Sequence, residues 1–176
     1  MQSIDTSILE WIHGFSTPAL DSFFLFFTDL GGVTTVTLVT FFVAAFLIQR
    51  KQYWASARVL ASVGGAVAVS TLLKLLIGRS RPDLWHQLVS ETSHSFPSNH
   101  ATASLALTLS IVLLLWQTKY RALSLVLGAF YVFGIALSRL YLGVHFPSDI
   151  VGGWVVATAA VTSVWYLSRF LQTRRA

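Results

Sequence analysis

Apolar residues in this chain fall in long, nearly unbroken runs rather than in the alternation of a half-buried surface. Five such runs, at residues 30–48, 54–77, 101–116, 122–140 and 150–171, carry almost no charge. A helix needs about 20 apolar residues to cross the hydrocarbon of a bilayer. Lipid offers no partner to open backbone groups, so each run is predicted to be a membrane-spanning helix. The segment before them reads differently. Ile4, Ile8, Leu9, Trp11 and Ile12 recur at helical spacing beside Asp5 and Glu10, and Pro18 opens a second run with Phe23, Phe24, Phe26 and Phe27. Short amphipathic helices in the membrane interface fit this pattern. The competing reading is a sixth, short span through the phenylalanines, bracketed closely by Asp21 and Asp29. The expected fold is all-α, a polytopic membrane helical bundle in one domain (1–176). Short N-terminal interfacial helices (1–29) precede a five-span part (30–176).

Composition agrees with the pattern. Hydrophobic residues make up 55% of the chain and charged residues 11%, with a mean hydropathy of +0.68, outside the range of an ordinary soluble domain. The net charge of +5 does not point to nucleic acid, because the basic residues form no long cluster interleaved with aromatics. The lack of cysteine excludes a disulfide framework, thiolate catalysis and cysteine-ligated metal. The first residues carry Asp5 and Glu10 but no Lys or Arg, unlike the basic leader of a cleavable signal peptide, so they are expected to belong to the mature protein.

Charge sorting supplies an orientation. If the five runs alternate, Arg50, Lys51, Lys119, Arg121, Arg174 and Arg175 share one side, with Arg58 and Arg169 near it. All seven acids, Asp5, Glu10, Asp21, Asp29, Asp83, Glu91 and Asp149, fall on the other. Lys and Arg in short loops mark the cytoplasm, so the polar interruptions at 78–99 and 138–149 are expected to face outward, as is the N-terminus.

Three polar clusters lie at the ends of runs on that outward side, where a charge is costly unless it has a partner or a task. The first holds Lys74, Arg79 and Arg81, with Gly78 able to end a helix and Pro82 favouring extended backbone at Arg81. The second is Phe96-Pro97-Ser98-Asn99-His100, just before an apolar run. Ser98 or Asn99 is a plausible N-cap there, and the free N–H groups of the first turn suit an anion beside His100. The third runs from Ser138 and Arg139 to His145 and Asp149. Asp149 can hold one ring nitrogen of His145 and leave the other available for attack. Taken singly, each cluster has an ordinary structural reading: a snorkelling lysine, a helix cap, a local ion pair. Taken together, three independent segments bring Lys74, Arg81, Arg139, a helix N-terminus and two histidines to one membrane face. That set describes a phosphate site. It does not suit a metal, because the three cations would repel one, and fixed cations can neutralise a phosphoryl group without magnesium.

In these clusters the chain resembles the type 2 phosphatidic acid phosphatases, the membrane branch of the superfamily that also contains the vanadium haloperoxidases. Lys74 to Pro82 is similar to that family's Lys, six residues, Arg-Pro. Pro97 to His100 is similar to its Pro-Ser-Gly-His, and Ser138 to Asp149 to its Ser-Arg, five residues, His, three residues, Asp. Order and spacing agree from the second span to the end. The resemblance implies that Lys74, Arg81 and Arg139 hold the phosphoryl oxygens, helped by Ser98, Asn99 and the neighbouring N–H groups. It implies that His145 attacks phosphorus to give a phosphohistidine, that Asp149 orients it, and that His100 protonates the departing oxygen, with no cofactor. Asn99 stands where the family usually has glycine; asparagine tolerates positive φ, so a tight turn there can survive. A second departure is that six-span members carry an additional N-terminal helix, here replaced by the interfacial segments.

The expected function is therefore a bacterial-type lipid phosphatase at the outer face of the cytoplasmic membrane, in contact with membrane lipids. Undecaprenyl diphosphate is the leading substrate, with phosphatidylglycerol phosphate and phosphatidic acid as alternatives within the class. A vanadate-dependent haloperoxidase would be soluble, which five spans oppose. A lipid transporter or scaffold that only binds phosphate would have no use for His100 and Asp149.

Overall fold

The structure, a computed structural model, describes residues 2–173. It contains seven helices and, among the described residues, no strand: α1 (Gln2–His13), α2 (Pro18–Leu30), α3 (Val33–Gln49), α4 (Tyr53–Ile77), α5 (Asn99–Leu115), α6 (Arg121–Tyr141) and α7 (Pro147–Thr173). Arg174 and Arg175, assigned above to the basic side, lie outside the described residues.

Local chemistry sets the boundaries. Thr17 caps α2 by accepting from the N–H of Leu20, and Pro18 occupies the first helical position, where a missing N–H costs nothing. Gly31 and Gly32 separate α2 from α3, which meet at 43°. The α4 helix stops at Gly78, whose φ of 62° is left-handed and whose N–H closes on the Lys74 carbonyl at 3.1 Å. Ser98 caps α5 by accepting from Ala101 N–H.

The α5 helix is central and packs against α4, α6 and α7, while α3 lies mainly against α4. The seam is built from small side chains, with Ala66, Ala103, Ala106 and Ala157 buried among Val36, Val63 and Val161. Small residues let helix axes approach closely, which matters where lipid supplies no hydrophobic drive between helices. The outer surface is the reverse of a soluble protein: Phe42 is 75% exposed and Leu76 72% exposed, side chains whose solvent is lipid.

Three helices, α4, α6 and α7, are each long and apolar enough to cross a membrane. The bent pair α2 and α3 meets the same test when taken together. With 17 residues, α5 is about 25 Å long, short of the ~30 Å hydrocarbon core. The phenylalanine run forms α2, which packs on α6, and α1 contacts α6 and α7. The α4 and α7 ends remote from the polar loop meet where the Arg58 guanidinium lies 5.1 Å over the Trp165 ring. Arg121 sits 4.9 Å over Trp116 in the α5–α6 connector.

Candidate active site

The long loop 78–98 folds over the ends of α4, α5, α6 and α7 and draws the three polar clusters together. Lys74, one turn before the end of α4, turns into this loop and donates through Nζ to the carbonyls of His94 at 2.5 Å and Ser95 at 3.2 Å. Arg81 donates through Nε to the Ser93 carbonyl and through Nη1 to the Val144 carbonyl at 2.7 Å. Arg139, in the last turn of α6, is 2% exposed; it donates to Thr28 Oγ1 at 2.9 Å and to Glu91. Its Nε is buried without a protein partner. A buried guanidinium donor aimed at no acceptor costs free energy that an anion can recover.

His145 lies in the short connection between α6 and α7. That turn depends on Gly143, at φ 68°, where a Cβ would come within 2.7 Å of the Trp85 ring, so only glycine fits. The imidazole is 1% exposed and held on both sides. Nδ1 faces Asp149 Oδ2 at 3.4 Å, and Nε2 faces Arg81 Nη1 at 3.2 Å. A guanidinium can only donate and a carboxylate only accept, so these neighbours assign the neutral tautomer: N–H on Nδ1, lone pair on Nε2. Burial, outweighing the pull of Asp149 and reinforced by Arg139 and Arg81, pushes the His145 pKa down to about 3. The ring is thus neutral at physiological pH, with its basic nitrogen directed among cations.

Asp149 is fully buried in the first turn of α7. Its Oδ2 accepts from Ser95 Oγ and from the N–H of Phe146 at 2.8 Å. Its Oδ1 accepts from Arg79 Nη1 at 2.6 Å. The Ser98 N–H donates to the backbone carbonyl of the same aspartate at 3.1 Å, tying the start of α5 to the start of α7. His100, the second residue of α5, has Arg139, His145, Arg81 and Lys74 as its charge neighbours. The N–H of Ala101 is taken by Ser98 Oγ; those of Asn99 and His100, like any first-turn amides, have no acceptor within the helix.

All eight residues singled out in the sequence sit at this one end of the bundle. Asn99 differs from its expected geometry. It is a right-handed helical residue rather than a left-handed one, and its Oδ1 accepts from Ser70 Oγ of α4 at 2.5 Å. No positive φ is required at that position, so glycine and asparagine are both compatible with the turn.

Four residues of the network were given no role from the sequence. Glu91 places its carboxylate between Arg139 and Arg81, 3.4 Å from the latter. Burial would raise its pKa, but Arg139 and Arg81 overcome that and hold it below the usual carboxylate range. Ser95 bonds Asp149. Arg79 joins Asp149 to Asp5 of α1. Among the described residues, no three His, Asp or Glu converge as a metal site. Chemically, the cluster offers a neutral imidazole with a fixed lone pair, ringed by cations that favour an anionic electrophile.

Comparison with known proteins agrees with the geometry. Over 159 residues the chain is 27% identical to phosphatidylglycerophosphatase B of Bacillus subtilis, covering 88% of this chain and 78% of that protein. It is also 27% identical to the undecaprenyl-diphosphatase BcrC of Bacillus subtilis over 158 residues, 85% of this chain and 77% of the relative. A crystal structure of a transmembrane PAP2-type phosphatidylglycerolphosphate phosphatase from Bacillus subtilis aligns with a TM-score of 0.84 at 25% identity, covering 98% of this chain and 86% of that one. Residues 55–173, from the start of α4 to the end of α7, match the PAP2 superfamily, and with all three motifs inside that stretch the chain belongs to this family of membrane lipid phosphatases.

Proposed function

We propose that this protein hydrolyses undecaprenyl diphosphate to undecaprenyl phosphate at the outer face of the bacterial cytoplasmic membrane. The reaction proceeds through a phosphohistidine and requires no metal. The observation that carries the reading is the pairing of Asp149 and Arg81 on opposite nitrogens of His145, which directs a neutral lone pair into the cation cluster. The terminal phosphoryl group enters between Arg81 and Arg139, with Lys74, Ser98, Asn99 and the first N–H groups of α5 on its remaining oxygens. His145 Nε2 forms a bond to phosphorus as the bond to the bridging oxygen breaks, and His100 delivers a proton to that oxygen. Water then attacks the phosphohistidine, His100 accepts its proton, and inorganic phosphate leaves. In this reading α3 to α7 span the membrane, α1 and α2 lie along the outer interface, and this end of the bundle faces outside; the charge distribution supports that orientation.

Similarity to a named undecaprenyl-diphosphatase over most of both chains favours this substrate. Phosphatidylglycerol phosphate is the second reading, favoured by the relative and the solved structure named for that activity. The test is phosphate release by purified protein in detergent with chelator present, on both lipids and on phosphatidic acid. Faster turnover of undecaprenyl diphosphate, abolished in His145→Ala and His100→Ala, is expected. A preference for phosphatidylglycerol phosphate moves the assignment to that lipid, and release that survives His145→Ala overturns the mechanism.

A further inference from the structure

Arg79 is one of the six unspecified residues of the first motif, yet its guanidinium pairs directly with the carboxylate that faces the imidazole. Nη1 donates to Asp149 Oδ1 at 2.6 Å and to Ser148 Oγ at 2.7 Å, and Nη2 donates to Asp5 Oδ2 at 3.0 Å. The face of the guanidinium lies 4.3 Å from the centre of the Phe146 ring, a cation–π contact that fixes its plane. Asp5 does more than pair with Arg79. Its Oδ1 accepts from Ser148 N–H at 3.1 Å and its Oδ2 accepts from Ser148 Oγ. It therefore satisfies one of the open donors at the start of α7 from a different helix, 143 residues away in sequence. Asp5 is 5% exposed on a helix whose Ile4 and Trp11 are 64% and 68% exposed. An amphipathic helix that needed only to rest in an interface would keep its acid in water.

We infer that Arg79 and Asp5 are positioning residues of the active site: the α1 helix, through Asp5, locks Arg79, and Arg79 holds Asp149 in the orientation that gives His145 its attacking tautomer. With Oδ1 engaged by Arg79, Asp149 is left to meet Nδ1–H of His145 with Oδ2. Without Arg79 the carboxylate can rotate, Nδ1 loses its acceptor in part, and the tautomer with the proton on Nε2 becomes populated. That tautomer has no lone pair aimed at phosphorus. This inference rests on His145 being the nucleophile, but its geometric content is independent of turnover.

The experiment uses the full-length protein in detergent with histidine labelled in nitrogen-15, comparing wild type, Arg79→Gln, Asp5→Asn and the conservative Asp5→Glu. The ring-nitrogen shifts of His145 at neutral pH, assigned by their loss in His145→Gln, report the tautomer directly. The expected result is a single Nδ1–H form in the wild type and mixed forms in Arg79→Gln and Asp5→Asn. Where α1 docking is regained, Asp5→Glu moves back toward the wild-type form. On the best lipid substrate, kcat is expected to fall about tenfold to a hundredfold in Arg79→Gln with KM within about threefold, by analogy with losing the hydrogen-bond partner that orients a metal-bound histidine. A pure Nδ1–H form in both Arg79→Gln and Asp5→Asn overturns the inference. So does a loss of kcat that only follows the loss of folded protein measured by thermal unfolding. If the wild type hydrolyses no lipid while the tautomer still responds to Arg79 and Asp5, the positioning stands and the phosphatase reading fails.

Discussion

The Arg81 guanidinium donates to Nε2 of His145 at 3.2 Å, so the cation expected to hold phosphate also occupies the lone pair expected to attack it. Glu91 completes the arrangement by bridging Arg81 and Arg139. On the proposed mechanism, a phosphoryl group entering between the arginines would replace a carboxylate and, by drawing Arg81 onto its oxygens, would release the imidazole, so that binding and exposure of the nucleophile become one event.

Replacing Glu91 separates the two halves of that exchange. In Glu91→Gln the arginines lose their internal anion, so KM for the lipid substrate and the inhibition constant of inorganic phosphate are both expected to fall, by roughly threefold to tenfold, part of a charge-assisted hydrogen bond. Thermal stability in detergent is expected to fall as well, because the buried Arg139 and its neighbour Arg81 are left less compensated. Steady-state kinetics and phosphate titration check this; a tenfold rise in KM would make Glu91 a substrate contact instead.

Acid stability should carry the mark of His145. Its folded pKa, about 3, lies below the value near 6.5 of an unfolded histidine. Between these values the unfolded chain binds a proton that the folded chain does not, so stability from this group is complete above pH 6.5 and is lost as pH falls toward 3. Melting curves across pH 7 to 4 are expected to drop more steeply for wild type than for His145→Asn. Parallel slopes would place the imidazole in a solvated setting.

The contact between α5 and α7 admits no side chain at Gly153. A Cβ there would lie 2.8 Å from the Ser98 carbonyl oxygen and 2.9 Å from Thr102 Oγ1. Gly153→Ala is expected to cost about 1–3 kcal/mol through overpacking and to reduce kcat by moving the start of α5 away from Asp149. Gly64→Ala, where nothing lies within 4 Å, serves as the control and is expected to be neutral or to gain up to about 1 kcal/mol of helix propensity. Equal effects at the two positions would refute the close approach.

Asn99→Gly is expected to retain turnover while losing about 1–2 kcal/mol of stability, from the bond to Ser70 and from glycine in a helix. Activity assays and melting of the purified variant decide it. The Asn99 backbone N–H survives the change, so loss of turnover in a folded variant would show that the side-chain amide is itself required on the substrate.

What could be read from the sequence follows the range of each interaction. Helix ends were legible where one residue acts locally: Pro18 opening α2, Gly78 ending α4, Ser98 capping α5. The start of α7 was placed too late, at Ile150, because Pro147, Ser148 and Asp149 read as a polar loop although Pro147 is a helix-starting residue. Eight candidate residues could be given roles because each sits at fixed spacing within a short motif. Glu91, Arg79 and Asp5 could not, because their partners are 48, 70 and 74 residues distant in sequence. A lone acid in a polar loop and another on an amphipathic helix carry no local signal of what they will meet. Asp5 in particular matched the pattern of an interfacial helix, and only the fold reveals it buried against Arg79 and Ser148.

The proposed reaction requires that His145 become phosphorylated in each turnover. The most direct measurement mixes purified enzyme with undecaprenyl diphosphate radiolabelled in the terminal phosphate, quenches in alkali, where phosphohistidine survives, and maps the labelled peptide. Label is expected on the peptide containing His145 in the wild type and none in His145→Ala. Label that persists in His145→Ala, or wild-type turnover that never labels the peptide containing His145, would contradict it.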